Sequence, residues 1–311
     1  MRPLGLTGDM ETTGELGEFL RTRRARLQPE DVGLVAYGAR RRVPGLRREE
    51  LAQLAGVSVA YYTRLEQGQS GNASDGVLDA LARALRLTPD EHAHLRNLAR
   101  PGRAARRPAA RAQSAGPGVR QLVAALGVPA AVLDLRYDVL AWNPLGHALL
   151  AGHLDAAAPG RPDGRPNTQR LLFLDGHARE LYPRWEEEAR RAVSALRLAA
   201  GEHPEDRRLA ELIGELTMRS EEFAALWSRH PVRACTSGTK EFHHPLVGSM
   251  TLEFEMMRLP DTGGQGLLAF SAEPGSPSEA ALSLLAAAGG LGGRPEGAPP
   301  LRGGVLKRRT G

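Results

Sequence analysis

Residues 48–69 of this 311-residue chain, REELAQLAGVSVAYYTRLEQGQ, constrain its fold more than any other stretch. Leu51, Leu54 and Ala55 fall on the inner face of one short helix. Gly56 ends that helix, because a left-handed turn there has no Cβ to accommodate. Ser58 is placed to cap a second helix, in which Tyr62 and Leu65 point inward. Two helices that meet through a turn of three to four residues containing glycine pack across one another at a wide angle.

The second helix then presents Val59, Ala60, Tyr61, Thr63 and Arg64 outward. In a helix-turn-helix, this is the helix that enters the major groove of double-stranded DNA, with its N-terminal residues at the base edges. Arg64 suits a two-pronged contact to guanine, and Val59 or Ala60 a thymine methyl. Arg48, Ser58 and Tyr61 suit phosphates, which set register without reading sequence. The charge distribution agrees. Residues 1–112 hold 19 arginines and 13 acids, a net of +6; residues 113–293 have a net of −5, and 294–311 a net of +4. A basic head on an acidic body suggests one polyanion-binding module joined to a module with another task.

The chain is long enough for two domains. A first helix is expected over 15–27, after a disordered 1–14, and an irregular basic stretch follows at 28–45 around Arg40, Arg41 and Arg42. Helical patterning runs from there to residue 100. Residues 101–118, PGRAARRPAARAQSAGPG, hold no aliphatic side chain larger than alanine and read as a linker. A second module is expected over 119–289, and a disordered basic tail over 290–311. In the second module AVLDLR (131–136) and VLAWN (139–143) read as strands around a turn at Tyr137-Asp138. A long helical region covers 168–229. Met250, Leu252, Phe254 and Met256 alternate with polar residues as in a half-buried strand. The lone cysteine, Cys235, has no partner thiol and reads as a small buried residue. With no signal core and no run of about 18 apolar residues, a cytoplasmic protein outside the membrane is expected.

RRRVPGLRREELAQLAGVSVAYYTRLEQG resembles the Xre/Cro-type helix-turn-helix of the MmyB-like subclass, in which a basic insert separates the first two helices. The resemblance implies an all-α domain of five helices over 15–100 and a structural Glu66 that closes the helix pair. Val59 and Ala60 depart from the polar base-reading residues of phage repressors. That shifts readout toward Arg64 and toward minor-groove contacts from Arg40, Arg41 and Arg42. Downstream, NTQRLLFL (167–174), ARELYPRWEEEAR (178–190), IGELTMRSEEFAALWSRH (213–230) and KEFHHPLVGSMTLEFEMMRL (240–259) resemble the MmyB-type C-terminal domain. This implies a PAS-like α/β (α+β) domain, with an antiparallel sheet and a helical insertion around an apolar pocket. A fatty acid or another small lipophilic molecule is the implied occupant.

Candidate pocket residues are the aromatics Trp142, Phe173, Tyr182, Trp185, Phe223, Trp227 and Phe254, each with ordinary core packing as its alternative. Asn143 reads as a helix cap or a ligand contact, and His244 as a turn or rim residue. Arg170 and Arg184 are candidates to receive a carboxylate. The run Glu186-Glu187-Glu188 reads as a solvated helix face. No HExxH, C-x-x-C, GxSxG, GxGxxG or GxxxxGK[ST] occurs, so neither an enzyme nor a metal or cofactor site is expected. The sequence thus points to a ligand-responsive transcription regulator that binds an operator as a homodimer. The alternative keeps the DNA module and makes the C-terminal half a ligand-free dimerisation and protein-interaction platform with a filled core.

Overall fold

A computed structural model describes residues 8–34, 45–69, 73–99, 114–232, 236–260 and 262–288, with the side chains of residues 8–13 left aside. Arg40, Arg41 and Arg42, most of the expected linker, Cys235 and the expected tail lie outside the described residues.

The first unit is helical: α1 (Gly8–Arg26), α2 (Arg48–Ala55), α3 (Val59–Glu66), α4 (Asp75–Ala84) and α5 (Pro89–Ala99). Helix α1 begins inside the stretch expected to be disordered. Phe19, Leu20, Leu46, Leu51, Tyr62, Leu65, Leu81 and Leu95 are fully buried in one core. Gly56 ends α2 in the left-handed region at φ +67°, and the Ser58 hydroxyl accepts the Tyr61 N–H at 3.1 Å. One inward assignment is corrected: Leu54 is 38% exposed, and Ala52 takes its place in the core beside Leu51 and Ala55.

The second unit begins with α6 (Pro117–Ala125), which starts inside the expected linker; Ala115 before it is already buried. Strands β1 (Ala130–Leu133) and β2 (Val139–Trp142) follow, joined by a turn in which Asp134 accepts the N–H groups of Arg136 and Asp138. A helical insertion comes next: α7 (Pro144–Ala151), α8 (Thr168–Leu174), α9 (His177–Leu181), α10 (Trp185–Glu202), α11 (Arg207–Arg219) and α12 (Glu221–Trp227). The helical region expected over 168–229 is therefore five helices. Pro183 and Pro204 sit in two of the breaks, where a missing N–H cannot continue a helix. Asp206 and Ser220 cap the helices that restart. Strands β3 (Ser237–His244), β4 (Gly248–Arg258) and β5 (Gly266–Ser271) and helix α13 (Pro277–Ala288) complete the unit.

The five strands form one antiparallel sheet in the order β2-β1-β5-β4-β3. Met250, Leu252 and Phe254 are buried while Thr251, Glu253 and Glu255 are exposed, as period-two alternation requires. Ala130, Val132 and Leu267 face α6 on one side of the sheet. On the other side Leu133, Phe242, Phe254, Leu268 and Phe270 face the insertion and α13.

Candidate DNA interface and ligand cavity

The helix pair is held by a buried carboxylate. Glu66, 3% exposed at the end of α3, accepts from Arg24 Nε at 2.7 Å, Arg48 Nε at 2.6 Å and the Tyr62 hydroxyl at 2.7 Å. Burial opposes its charge, but the hydrogen bonds from Arg24, Arg48 and Tyr62 outweigh it and hold the carboxyl below its usual range. Glu66 thereby ties α1, α2 and α3 together. Arg48, expected at phosphates, spends its Nε on this cluster, and its side chain stays 45% exposed.

On the outward face of α3, Ser58, Val59, Ala60 and Arg64 are exposed, and Tyr61 and Thr63 are half-buried. The five-helix core thus leaves free the face that the sequence assigns to DNA. Its N-terminal end carries the Ser58 cap and an apolar pair, Val59 and Ala60.

The sheet and the insertion enclose a cavity of about 150 Å3. Its floor is Leu133, Phe254, Met256, Leu268 and Phe270 from the sheet, and its walls come from α8, α9 and α10. Of the eleven pocket candidates, Tyr182 and Phe254 line it. The other nine are placed elsewhere. Phe173, Trp185, Phe223 and Trp227 pack on one another and on α10 and α11 as a separate core. Trp142 donates its indole N–H to the Ala156 carbonyl at 2.8 Å. Asn143 caps α7, accepting from Gly146 and Ala130 and donating to the Leu126 and Val128 carbonyls. Every site on its amide is used within the fold. His244 is buried, with Nδ1 accepting from Leu246 N–H and Nε2 donating to the Ala148 carbonyl. Arg170 pairs with Glu215, and Arg184 with Glu187 and Glu241; neither lines the cavity.

The charged groups that do line it are Lys240, Glu188 and Arg191, and also Asp175, whose Oδ2 lies 2.8 Å from His153 Nε2. Glu188 is only 6% exposed, which corrects its reading as a solvated residue. It accepts from Arg191 Nη1 at 2.6 Å and from Lys240 Nζ, and Arg191 also donates to the Thr239 carbonyl at 3.1 Å. Lys240 Nζ lies 4.9 Å from the Phe254 ring centroid. Two cations share one carboxylate here, so this cluster carries one net positive charge next to apolar surface, while Asp175 adds a negative charge elsewhere on the lining. Tyr182 keeps a neutral hydroxyl, because burial and then the Glu188 charge push its pKa up. Both residues left a trace in the sequence. Glu188 falls on the buried stripe Trp185, Ala189, Ala192, Val193, and Lys240 is one of two lysines among 41 basic residues.

Helix α10 also reaches the first unit. Glu188, Arg191, Ala192 and Ala195 line the cavity, while further along Leu198 packs on the helical core. Gly201 lies against α5; a Cβ there would stand 2.7 Å from His94 Nδ1, so only glycine fits this approach. Around this contact Arg23 Nη2 donates to the His230 carbonyl at 2.6 Å, Arg26 donates to the Arg229 carbonyl, and His230 Nε2 lies 3.3 Å from Glu18. Val232, just after the insertion, is buried in the helical core.

Among the described residues no helix is long and apolar enough to cross a membrane, and no cluster of three His, Cys, Asp or Glu residues is arranged to hold a metal. No curated protein matches the chain. A helix-turn-helix domain model matches residues 15–95, and the model of the MmyB-like transcription regulator ligand binding domain matches residues 115–285. The second match alone covers more than half of the chain, directly behind the helices built to meet DNA, and the protein belongs to the MmyB-like transcription regulators.

Proposed function

We propose that the protein is a cytoplasmic, ligand-responsive regulator that reads an operator through the outward face of α3 and changes its grip when a small amphipathic acid enters the cavity. The carrying observation is α10, which lines the cavity with one part of its length and packs on the DNA-facing unit with another. An 18-residue helix spans about 27 Å as one rod. A ligand that binds one placement of α10 better than another shifts the docking of the two units, by no more than its differential affinity. An open cavity rather than a filled core favours this reading over a ligand-free platform. The ligand is a fatty acid or a similar monoanion. Its apolar part lies on Leu133, Leu268 and Phe270, and its head meets the net positive Lys240–Glu188–Arg191 cluster. The sheet order, with the insertion between β2 and β3, supports a PAS-like description of the second unit.

On DNA, Arg64 reads a base, Val59 and Ala60 contact methyl groups, and Arg48, Ser58, Tyr61 and Thr63 hold the backbone. Arg40, Arg41 and Arg42 add minor-groove contacts. The protein acts as a homodimer on half-sites about 34 Å apart. Fluorescence anisotropy of the full chain on its selected operator tests the assignment. Arg64→Ala is expected to lose about 1–3 kcal/mol on operator and little on random DNA. Replacing Arg40, Arg41 and Arg42 together by serine is expected to weaken both and flatten the salt dependence. Equal losses on both DNAs from Arg64→Ala would refute base reading by that side chain.

A further inference from the structure

Two polar atoms in the cavity wall are left over by the fold. Gln169 sits in the first turn of α8, held in place by its backbone: Asn167 Oδ1 accepts the N–H groups of Gln169 at 3.0 Å and Arg170 at 3.1 Å. The residue is 4% exposed, and its Oε1 is buried without a hydrogen-bond partner. His177 opens α9, and its Nε2 is in the same state. Among the described residues these are the two buried, unpartnered side-chain atoms that line the cavity. The Lys240–Glu188–Arg191 cluster does not use them, since Glu188 and the Thr239 carbonyl take those cations.

Buried polar atoms without partners carry their whole desolvation penalty. A plain acyl chain entering the cavity would leave both atoms in that state. A second carboxylate would bring oxygen lone pairs against the Gln169 oxygen. A hydroxyl donates and accepts at once, so it satisfies the Gln169 amide in either orientation and a neutral imidazole in either tautomer. Burial, and then the neighbouring His153 ring at a centroid distance of 4.4 Å, lower the His177 pKa and keep the ring neutral. Size narrows the class further. A cavity of about 150 Å3 holds an apolar body of roughly benzene size, with the remainder of the ligand extending toward the opening.

We infer that the ligand is a short hydroxylated carboxylic acid, whose hydroxyl is received by Gln169 and His177 while its carboxylate faces Lys240 and Arg191. This rests on the ligand-responsive reading above and adds the hydroxyl to it. Calorimetric titration of the full-length protein with octanoate and with its monohydroxylated forms tests it. At least one hydroxylated form is expected to bind about tenfold more tightly than octanoate. Gln169→Leu should abolish that preference and leave octanoate binding intact. His177→Phe supplies the same readout should Gln169→Leu fail to fold. If octanoate binds and no hydroxylated form binds better, ordered water satisfies the two atoms; the hydroxyl is then overturned and the sensor reading stands. A preference that survives both variants also overturns the assignment. If no acid of the panel binds, the sensor reading itself fails and takes this inference with it.

Discussion

Glu66 and Glu188 are both buried carboxylates, and each is held by two cations, yet their surroundings assign them different work. Glu66 closes against Arg24, Arg48 and the Tyr62 hydroxyl where three helices meet, and its own side chain is sealed from solvent. Glu188 closes against Arg191 and Lys240 on the wall of a cavity. The same chemistry is scaffold where it joins three helices, and receptor where it borders a cavity. A ligand anion can compete for Lys240 and Arg191. Nothing of comparable size reaches Arg24, whose side chain is 12% exposed.

The contrast is testable from its largest consequence downward. Glu66→Ala leaves Arg24 buried without its counter-charge and should destabilise the helical unit by about 3–5 kcal/mol in urea unfolding. Glu188→Ala should lose only about 1–2 kcal/mol, because Lys240 and Arg191 keep contact with the cavity. Equal losses would break the distinction. Glu188→Gln leaves the fold in place and releases the two cations, so octanoate affinity should rise several-fold, by the fold-change logic of binding constants. Lys240→Met should lower it by about tenfold. A fall in affinity for Glu188→Gln would mean that the carboxylate itself holds the ligand.

Gly201→Val drives a side chain into His94 and should separate the units. The expected result is that ligand binding and DNA binding persist while their mutual influence, read as the shift in operator affinity on adding ligand, is lost. Retained coupling would show that α10 is not the route. The remaining consequence is confined to acid pH. Burial, then Arg197, Arg23 and His230, push His94 down to about 3. Burial and then Arg197 push His230 down to about 4, against the pull of Glu18. Both rings bind fewer protons docked than free, where the ordinary value is about 6.5. The docked arrangement therefore keeps its full stability above that pH and loses it progressively as pH falls toward the folded values. Small-angle scattering across this window should record opening before the helices melt. Simultaneous opening and melting would contradict it.

The helix pair was legible because its determinants are local. A left-handed glycine, a serine cap and an inward Tyr62–Leu65 pair lie within one short stretch, and each acts over a turn or less. Even there Leu54 was misplaced, since a helix eight residues long offers two plausible stripes and only its neighbours choose between them. The cavity was much less legible. Aromatic residues drew attention to Phe173, Trp185, Phe223 and Trp227, but large rings fill space best against each other, and they formed their own core. Arg170 and Arg184 looked free in sequence, but acids brought near by folding neutralise them.

By itself the amino-acid sequence determined the Gly56 stop and Ser58 cap of the helix pair, the alternation of β4 and the succession of a helix-turn-helix region and a ligand-binding region. These follow from periodicity, capping and backbone restriction, which operate between residues close along the chain. Tertiary structure alone decided which side chains surround a space and which surround each other. Leu133, Gln169, Glu188, Lys240 and Phe270 become neighbours only when the insertion folds onto the sheet. It also decided that α10 touches both units, because its register against α5 is set by the close approach at Gly201. Whether a buried charge serves as scaffold or receptor depends on the empty volume beside it, and that volume is a property of packing, which no local pattern encodes.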